Sequence, residues 1–254
     1  MLETGVKDLS QAFEKIVEAL SLSLNLGLGL NQGLQSAESV DSQKTLKMID
    51  ALRQNLQIMQ RLSTDVSRNK TDNISGDEVS KIGDYALSLL DEISVSCASR
   101  GLQAEMLELH RLSLPVANWL KNHGGKIKKL DIIVNAIASY ANTLQETSQL
   151  EILCELISQV IEITEPSIKQ DLEAGNPMRP WRILNLNWGI VATRTHNTEI
   201  MQRVFDQIIK NIPADSQQFF NEGMQQMDAV GYPQAVREIM EKYAGGFGID
   251  GMLH

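Results

Sequence analysis

Large apolar residues recur at helical spacing along most of the chain, and this periodicity constrains the fold more than any other feature. The clearest stretch covers residues 42–67, where its members follow one another mostly every three or four positions: Leu46, Ile49, Leu52, Leu56, Met59 and Val66. Such spacing places side chains on one face of an α-helix. Prolines, which interrupt helices, number only six. The sequence therefore predicts an all-α fold.

Two predicted helices begin with a capping box, in which a Ser and a Glu three residues later satisfy free backbone N–H groups. Ser75 and Glu78 form the first, and Ser148 and Glu151 the second. Glycines at 124 and 125 mark a turn between two other helices. We expect helices over residues 6–20, 42–67, 75–99, 102–122, 128–144 and 148–163, with a shorter one over 165–175.

Leucines alternate with small or polar residues from Leu20 to Leu30. A period of two is typical of a β-strand, but no second strand is apparent to pair with it. Gly27 and Gly29 would weaken a helix. We expect a continued, buried helix or a poorly ordered segment up to Leu34, with a lone strand as the alternative.

The apolar stripe of residues 42–66 accommodates about three heptads. It permits a helical hairpin or bundle within one chain, and it also permits a homo-oligomer. We therefore predict an N-terminal helical region over residues 1–100, with possible self-association through residues 42–66.

Two glycines near the C-terminus are 34 residues apart, Gly189 and Gly223. If each glycine lies in the first helix of a helix pair, other residues take the positions expected of them in a repeating helix pair. Phe205 falls in a second helix, and Pro213 falls at its end. Phe219, Tyr232 and Ala235 take related places in the next unit.

This region resembles the tetratricopeptide repeat over about residues 180–245. A weaker likeness covers residues 110–143, through Ala117, Gly124, Ile133 and Ala136. The resemblance implies an α-solenoid of stacked helix pairs, in which a small residue lets the two helices of a pair cross closely. The sequence departs from the pattern where Asn185, Glu222 and Gln226 replace aromatic or apolar residues. On this basis residues 101–246 form the repeat region, and residues 247–254 a flexible tail.

Composition argues against several classes of protein. The formal net charge of −9 is unfavourable for nucleic-acid binding, which needs a basic surface. No run of eighteen apolar residues occurs, and the first residues lack a basic leader, so we expect no membrane span and no secretory signal. Cys97 and Cys154 are isolated and predict free thiols. We expect a cytoplasmic protein.

No short catalytic motif is present. The four histidines, His110, His123, His196 and His254, are far apart and lack metal-ligand spacing. Phosphate-binding loops and nucleophile elbows are missing from the sequence. We therefore predict no catalytic residues, no metal and no cofactor.

The resemblance implies a groove on the concave face, lined by the first helix of each pair. The candidate partner-binding residues on these helices are Ile183, Leu186 and Ile190 in the first unit and Phe220, Met224 and Met227 in the second. Arg179, Arg182 and Arg194 lie near this surface. Arg179 and Arg182 would clamp a carboxylate of a ligand or pair with acids of the chain such as Asp171 and Glu173. The alternative for the apolar stripe is burial under the chain's own N-terminal helices.

The leading functional prediction is a non-catalytic interaction or scaffold protein that binds a protein or peptide on the repeat surface. One alternative is a structural subunit assembled through the N-terminal helices. Another is a helical enzyme or small-ligand sensor, with a pocket near Arg179, Arg182 and Arg194.

Overall fold

The structure is a computed structural model that describes residues 5–29, 37–67, 74–173 and 175–245. These residues form eleven α-helices and no β-strand, as the apolar periodicity predicts. None of the described helices combines the length and the apolar content needed to cross a lipid bilayer. The chain divides into two compact units, residues 1–139 and 140–254.

The first unit contains a four-helix bundle made of α1 (Val6–Gly29), α2 (Ala37–Ser67), α3 (Gly76–Ser99) and α4 (Gln103–Asn122). Consecutive helices pack against each other, and α4 packs back on α1 to close the bundle. The core consists of fully buried apolar side chains, including Phe13, Leu52, Met59, Leu90 and Leu109. The predicted capping box of α3 is confirmed: Ser75 Oγ accepts from the Glu78 N–H, and Glu78 accepts from the Ser75 N–H at 2.9 Å.

The alternating leucines continue α1 as far as Gly29. Leu20 and Leu24 are fully buried, whereas Leu22 is exposed. A helix turns about 100° per residue, so residues four apart share the buried face and the residue midway points outward. The expected helix is present but not buried all round, and residues 30–34 lie outside the described part of the chain.

The apolar stripe of α2 is covered within a single chain. Ile49, Leu52, Leu56 and Met59 are all buried, and α2 packs between α1 and α3. These four residues of the stripe are therefore core of the bundle. Leu46 is half-buried, and self-association through residues 42–66 stays a prediction.

Helix α4 belongs to the bundle, so the first unit extends beyond the boundary at residues 100/101 drawn from the sequence. Its apolar residues Leu109, Leu112, Val116 and Leu120 are buried, and its main neighbours are α3 and α1. The boundary between the compact units falls inside α5 (Asp131–Thr143) instead. The residues expected to form a weaker repeat at 110–143 therefore begin in the helix that closes the bundle.

The second unit contains the remaining helices: α6 (Thr147–Ile163), the short α7 (Pro166–Lys169), α8 (Pro180–Arg194), α9 (Thr198–Asn211), α10 (Pro213–Val230) and α11 (Gln234–Ala244). From α8 onward each helix packs on the next, α9 also packs on α11, and α6 packs on α8. Turns of three residues join α8 to α9 and α10 to α11. The predicted tail over residues 247–254 lies outside the described residues.

The second predicted capping box, at Ser148 and Glu151, is wrong. Helix α6 begins one residue earlier, at Thr147, and Glu146 at its N-cap makes no side-chain cap. The Glu151 carboxylate instead accepts a hydrogen bond from Asn197 Nδ2 at 3.0 Å. The Glu151 side chain therefore makes a tertiary contact with the α8–α9 turn, and it does not cap the start of α6.

Candidate functional site

Gly189 in α8 and Gly223 in α10 both lie where neighbouring helices approach closely. A methyl group on Gly189 would overlap the Phe219 ring of α10 and lie 2.7 Å from Ile208 Cδ1 of α9. A methyl group on Gly223 would lie 2.8 Å from Met240 Cε of α11. Absence of a side chain at these two positions therefore sets how closely the helices of the second unit approach.

Aromatic rings from α9, α10 and α11 pack against one another. Phe205 meets Phe220 edge-on, with ring centroids 5.0 Å apart, and meets Tyr243 at 5.2 Å. The Tyr243 hydroxyl donates to Asp206 Oδ1 at 2.6 Å. This cluster is fully packed core, so the candidate residue Phe220 stabilises the helix pair and has no open face for a partner.

Asn185 is buried, and both the nitrogen and the oxygen of its side-chain amide form hydrogen bonds. Its Nδ2 donates to the Trp181 carbonyl at 2.8 Å, and its Oδ1 accepts from Asn211 Nδ2 at 2.8 Å. Asn211 lies at the end of α9. The Asn185 amide therefore links α8 to the end of α9 by a hydrogen bond.

A groove opens between α8, α10 and α11 and encloses a cavity of about 130 Å³. We call it the α8/α10 groove. Its apolar lining is Leu186 and Ile190 from α8, Phe219 and Met227 from α10, and Tyr232 and Met240 from the last helix and its preceding turn. Its polar lining is Thr193, Glu222 and Gln226. Ile190 is 48% exposed, so the apolar lining extends to the surface of the unit.

A second cavity of about 270 Å³ adjoins the groove, because Tyr232 lines both. We call it the Arg194 cavity; its other polar lining residues are Gln145, Thr147 and His196. The His196 and Tyr232 rings meet edge-on, with centroids 5.5 Å apart. Together the two cavities form a surface that has apolar side chains and the carboxylate of Glu222 at one end and a cationic group at the other.

Arg194 supplies that cationic end. Its guanidinium donates to the carbonyls of Ala141 at 2.8 Å and Leu144 at 2.7 Å, which caps the end of α5. Within the described parts of the chain it forms no ion pair with a carboxylate. Carbonyl groups hold the guanidinium in place without neutralising its charge.

Arg179 and Arg182 form ion pairs with carboxylates of the same chain, and neither lines the groove. Arg179 is almost wholly buried and binds Asp171, with Nη2 2.8 Å from Asp171 Oδ2, and it also binds Asp215. Arg182 Nε donates to Asp215 Oδ1 at 2.6 Å. Burial alone would raise the pKa of Asp215, but the hydrogen bonds from Arg182 and Arg179 outweigh it and lower that pKa.

The structure distributes the sequence-derived candidates over five surroundings. Leu186, Ile190 and Met227 line the α8/α10 groove, and Arg194 lines the adjoining cavity. Ile183 and Met224 are half-buried outside that lining, Phe220 is core, and Arg179 and Arg182 hold the ion pairs. Phe219, Gly223, Tyr232 and Met240 line the groove but were not among the candidates.

Helical spacing groups the missed residues of α10 on one face, but it does not show that this face, and not the one with Phe220 and Met224, lines the groove. Phe219, Gly223 and Gln226 are four and three residues apart and share one helical face. Phe219 closely approaches Gly189 of α8, and Gly223 closely approaches Met240 of α11. The candidate residues Phe220 and Met224 each lie one position further along the helix.

Burial shifts the pKa values of the two cysteines and of His110. Cys97 and Cys154 are buried, and burial raises the pKa of each thiol to about 11, so both are protonated at neutral pH. Burial lowers the pKa of His110, which hydrogen-bonds Ser94 Oγ at 3.1 Å. No three His, Cys, Asp or Glu side chains gather as a metal site in the described ranges.

No protein-family model, no curated protein and no solved structure matches this chain.

Proposed function

We propose that the second unit is a tetratricopeptide-like module that binds an apolar segment of a protein partner in the α8/α10 groove. The single observation that carries the proposal is the groove itself. It opens to solvent between the first helices of two consecutive pairs, and six large apolar side chains line it.

The helix pairs support the repeat assignment. Pro180 and Pro213 each occupy the first turn of their helix, and the two prolines are 33 residues apart. Gly189 and Gly223 lie at close helix approaches, the role that a small residue has in a stack of such pairs. Phe205 then fills the space between α9, α10 and α11.

The lining defines the chemistry of the partner segment. Met227 and Met240 have flexible, polarisable side chains that adapt to different apolar groups. Glu222 and Gln226 provide hydrogen-bonding groups for the backbone of a bound segment. A volume of about 130 Å³ suits one or two apolar anchor residues and not an entire helix face.

The test is a selection of displayed random dodecapeptides on the immobilised full chain, followed by affinity measurements on the selected peptides. The affected variant is Ile190→Glu, which places a charge at the groove. The matched control is Ile152→Glu, because Ile152 is 58% exposed on α6 and lies outside both cavities.

We expect the selected peptides to share large apolar residues and to bind the Ile190→Glu variant at least tenfold more weakly than the wild type. A tenfold loss corresponds to about 1.4 kcal/mol, the usual effect of one interface anchor. Binding to the Ile152→Glu variant should be unchanged. Peptides that bind all three proteins equally would overturn the proposal.

A further inference from the structure

Helix α10 carries three carboxylates, and one of them has no ion pair. Asp215, in the first turn, is bound by two arginines, and Asp228, near the end of the helix, is bound by Arg237. Glu222 lies between them, and no basic side chain of the described residues forms an ion pair with it. The helix itself contains no basic residue. Glu222 is therefore the carboxylate of α10 whose charge no cation of the described chain balances.

The Glu222 carboxylate lies at the α8/α10 groove, because the residue is part of the groove lining. Phe219 is three residues earlier and Gln226 is four residues later, so all three share one face of α10. Glu222 Oε1 accepts a hydrogen bond from Gln218 Nε2 at 2.7 Å, which restrains the side chain. A carboxylate has two oxygens and about four acceptor sites. The second oxygen is therefore available to a cation that enters beside the apolar lining.

Glu222 is also the only charged side chain among the described residues that line the groove. Arg194 lines the adjoining cavity instead, and its two terminal nitrogens donate to the carbonyls of Ala141 and Leu144. An acidic side chain bound in the groove would therefore meet a carboxylate with no cation in the lining to balance the two charges. A basic side chain would meet a carboxylate of opposite charge. The electrostatics of the lining thus favour a basic group.

The charge of the whole chain acts in the same direction. Its formal net charge is −9 at pH 7. A protein of this charge attracts basic segments and repels acidic ones before they touch, which raises the association rate of basic partners. At the contact itself, charge complementarity contributes more to the choice of partner than to raw affinity. Both effects select a basic segment from the apolar segments that the groove accepts.

We propose that the partner segment of the α8/α10 groove is basic, with a large apolar anchor in the groove and a neighbouring Lys or Arg side chain paired with Glu222. This inference rests on the proposed function, because it names the partner chemistry of the same groove. Lys and Arg have long apolar stems, which can lie along apolar lining while the charged head reaches a carboxylate. The anchor then supplies most of the affinity, and Glu222 determines which apolar segments are preferred.

Peptides selected on the immobilised full chain provide the test. Each selected peptide that has a Lys or Arg near its apolar anchor is compared with a counterpart that carries Gln at that position. Both are measured on the wild type and on Glu222→Gln, which removes the charge and keeps the shape of the side chain. The matched control is Glu238→Gln. Glu238 also accepts a hydrogen bond from a glutamine four residues earlier, Gln234, but it lies on α11 outside the groove lining.

We expect the selection to enrich Lys and Arg beside the apolar anchor, relative to the unselected library. The basic peptides should bind Glu222→Gln about threefold more weakly than the wild type, the usual effect of an exposed ion pair. Their Gln counterparts should bind the two proteins equally, and Glu238→Gln should bind every peptide as the wild type does. The difference between the wild type and Glu222→Gln should disappear at about 1 M salt, where charges are screened beyond about 3 Å.

Two results would refute the inference: selected peptides without an excess of basic residues, or basic peptides that bind Glu222→Gln as tightly as the wild type. Neither result touches the proposed function, which is judged by the Ile190→Glu variant. If the peptides lose affinity for Ile190→Glu but not for Glu222→Gln, the groove binds apolar segments of any charge and this inference alone fails. If the peptides bind Ile190→Glu fully, the proposed function fails by its own measurement and the inference fails with it.

Discussion

The guanidinium of Arg179 donates a hydrogen bond to the carboxylate of Asp215, a residue 36 positions later in the first turn of α10. The contact ties the start of one helix pair to the start of the next. Arg179 also binds Asp171, so the same side chain holds the start of the loop between α7 and α8. One side chain therefore holds together the loop and both first helices.

Replacing Arg179 should destabilise the protein strongly. Arg179→Gln leaves the partly buried Asp171 without its countercharge and leaves Asp215 with Arg182 alone. Breaking a buried pair in this way costs about 3 kcal/mol of unfolding free energy. Urea unfolding monitored by tryptophan fluorescence measures the loss. Arg203→Gln is the matched control, because the pair of Arg203 with Glu155 is exposed and should change stability by less than about 0.5 kcal/mol. Equal losses in the two variants would contradict the role assigned to Arg179.

Stability should fall in acid through Asp215. The folded-state pKa of Asp215 is lowered, so between that value and its unfolded pKa near 4 the unfolded state binds more protons. Its contribution is therefore present above about pH 4 and is lost as the pH falls through the folded-state value. Asp215→Asn should be less stable than the wild type at pH 7, and the difference should shrink below pH 4. A difference that stays constant from pH 7 to pH 3 would refute this assignment.

The two helix-contact glycines should respond differently to alanine. At Gly189 the new methyl group meets the Phe219 ring and Ile208, so we expect a loss of about 1–3 kcal/mol despite the better helix propensity of alanine. At Gly223 it meets the flexible end of Met240, which can shift, so the change should be within about 1 kcal/mol. Phe219→Leu should relieve part of the Gly189→Ala loss. Thermal unfolding of the single and double variants gives the comparison, and an equal loss at both glycines would contradict it.

Both cysteines should be inert in the folded protein. Their pKa values of about 11 leave few thiolates at pH 7.5, and both side chains are buried. We expect no reaction with a thiol-specific disulfide reagent in buffer, and reaction of two thiols per chain in guanidinium chloride. Rapid labelling of either cysteine under native conditions would show that its helix opens readily.

The all-α fold and most helix positions were predictable because they follow from local patterns. Ser75 and Glu78 act within one turn of helix, so their sequence is sufficient to place the start of α3. The capping box predicted at Ser148 is wrong because α6 begins at Thr147, and Glu151 accepts a hydrogen bond from Asn197, 46 residues away. A single sequence gives no signal for such a contact.

The site was predictable only in part, for a similar reason. Leu186 and Ile190 follow from the helical spacing of α8, and both line the groove. The lining of α10 depends on its rotation about its own axis, which Gly223 against Met240 and Phe219 against Gly189 determine. If α10 were rotated about its axis by one residue, Phe220 would line the groove in place of Phe219. The apolar character of two adjacent phenylalanines does not indicate which of them faces the groove. The burial of Arg179 likewise depends on Asp215, which no sequence neighbour indicates.

The most direct test of the central claim is hydrogen–deuterium exchange of the full chain, with and without a peptide selected on it. Binding in the α8/α10 groove predicts slower exchange in the segments that contain Leu186 to Thr193 and Phe219 to Met227, because a bound peptide suppresses their local opening. The same peptide should give no such protection in the Ile190→Glu variant. Protection confined to the four-helix bundle of α1–α4, with α8 and α10 unchanged, would contradict the assignment of the groove as the binding surface.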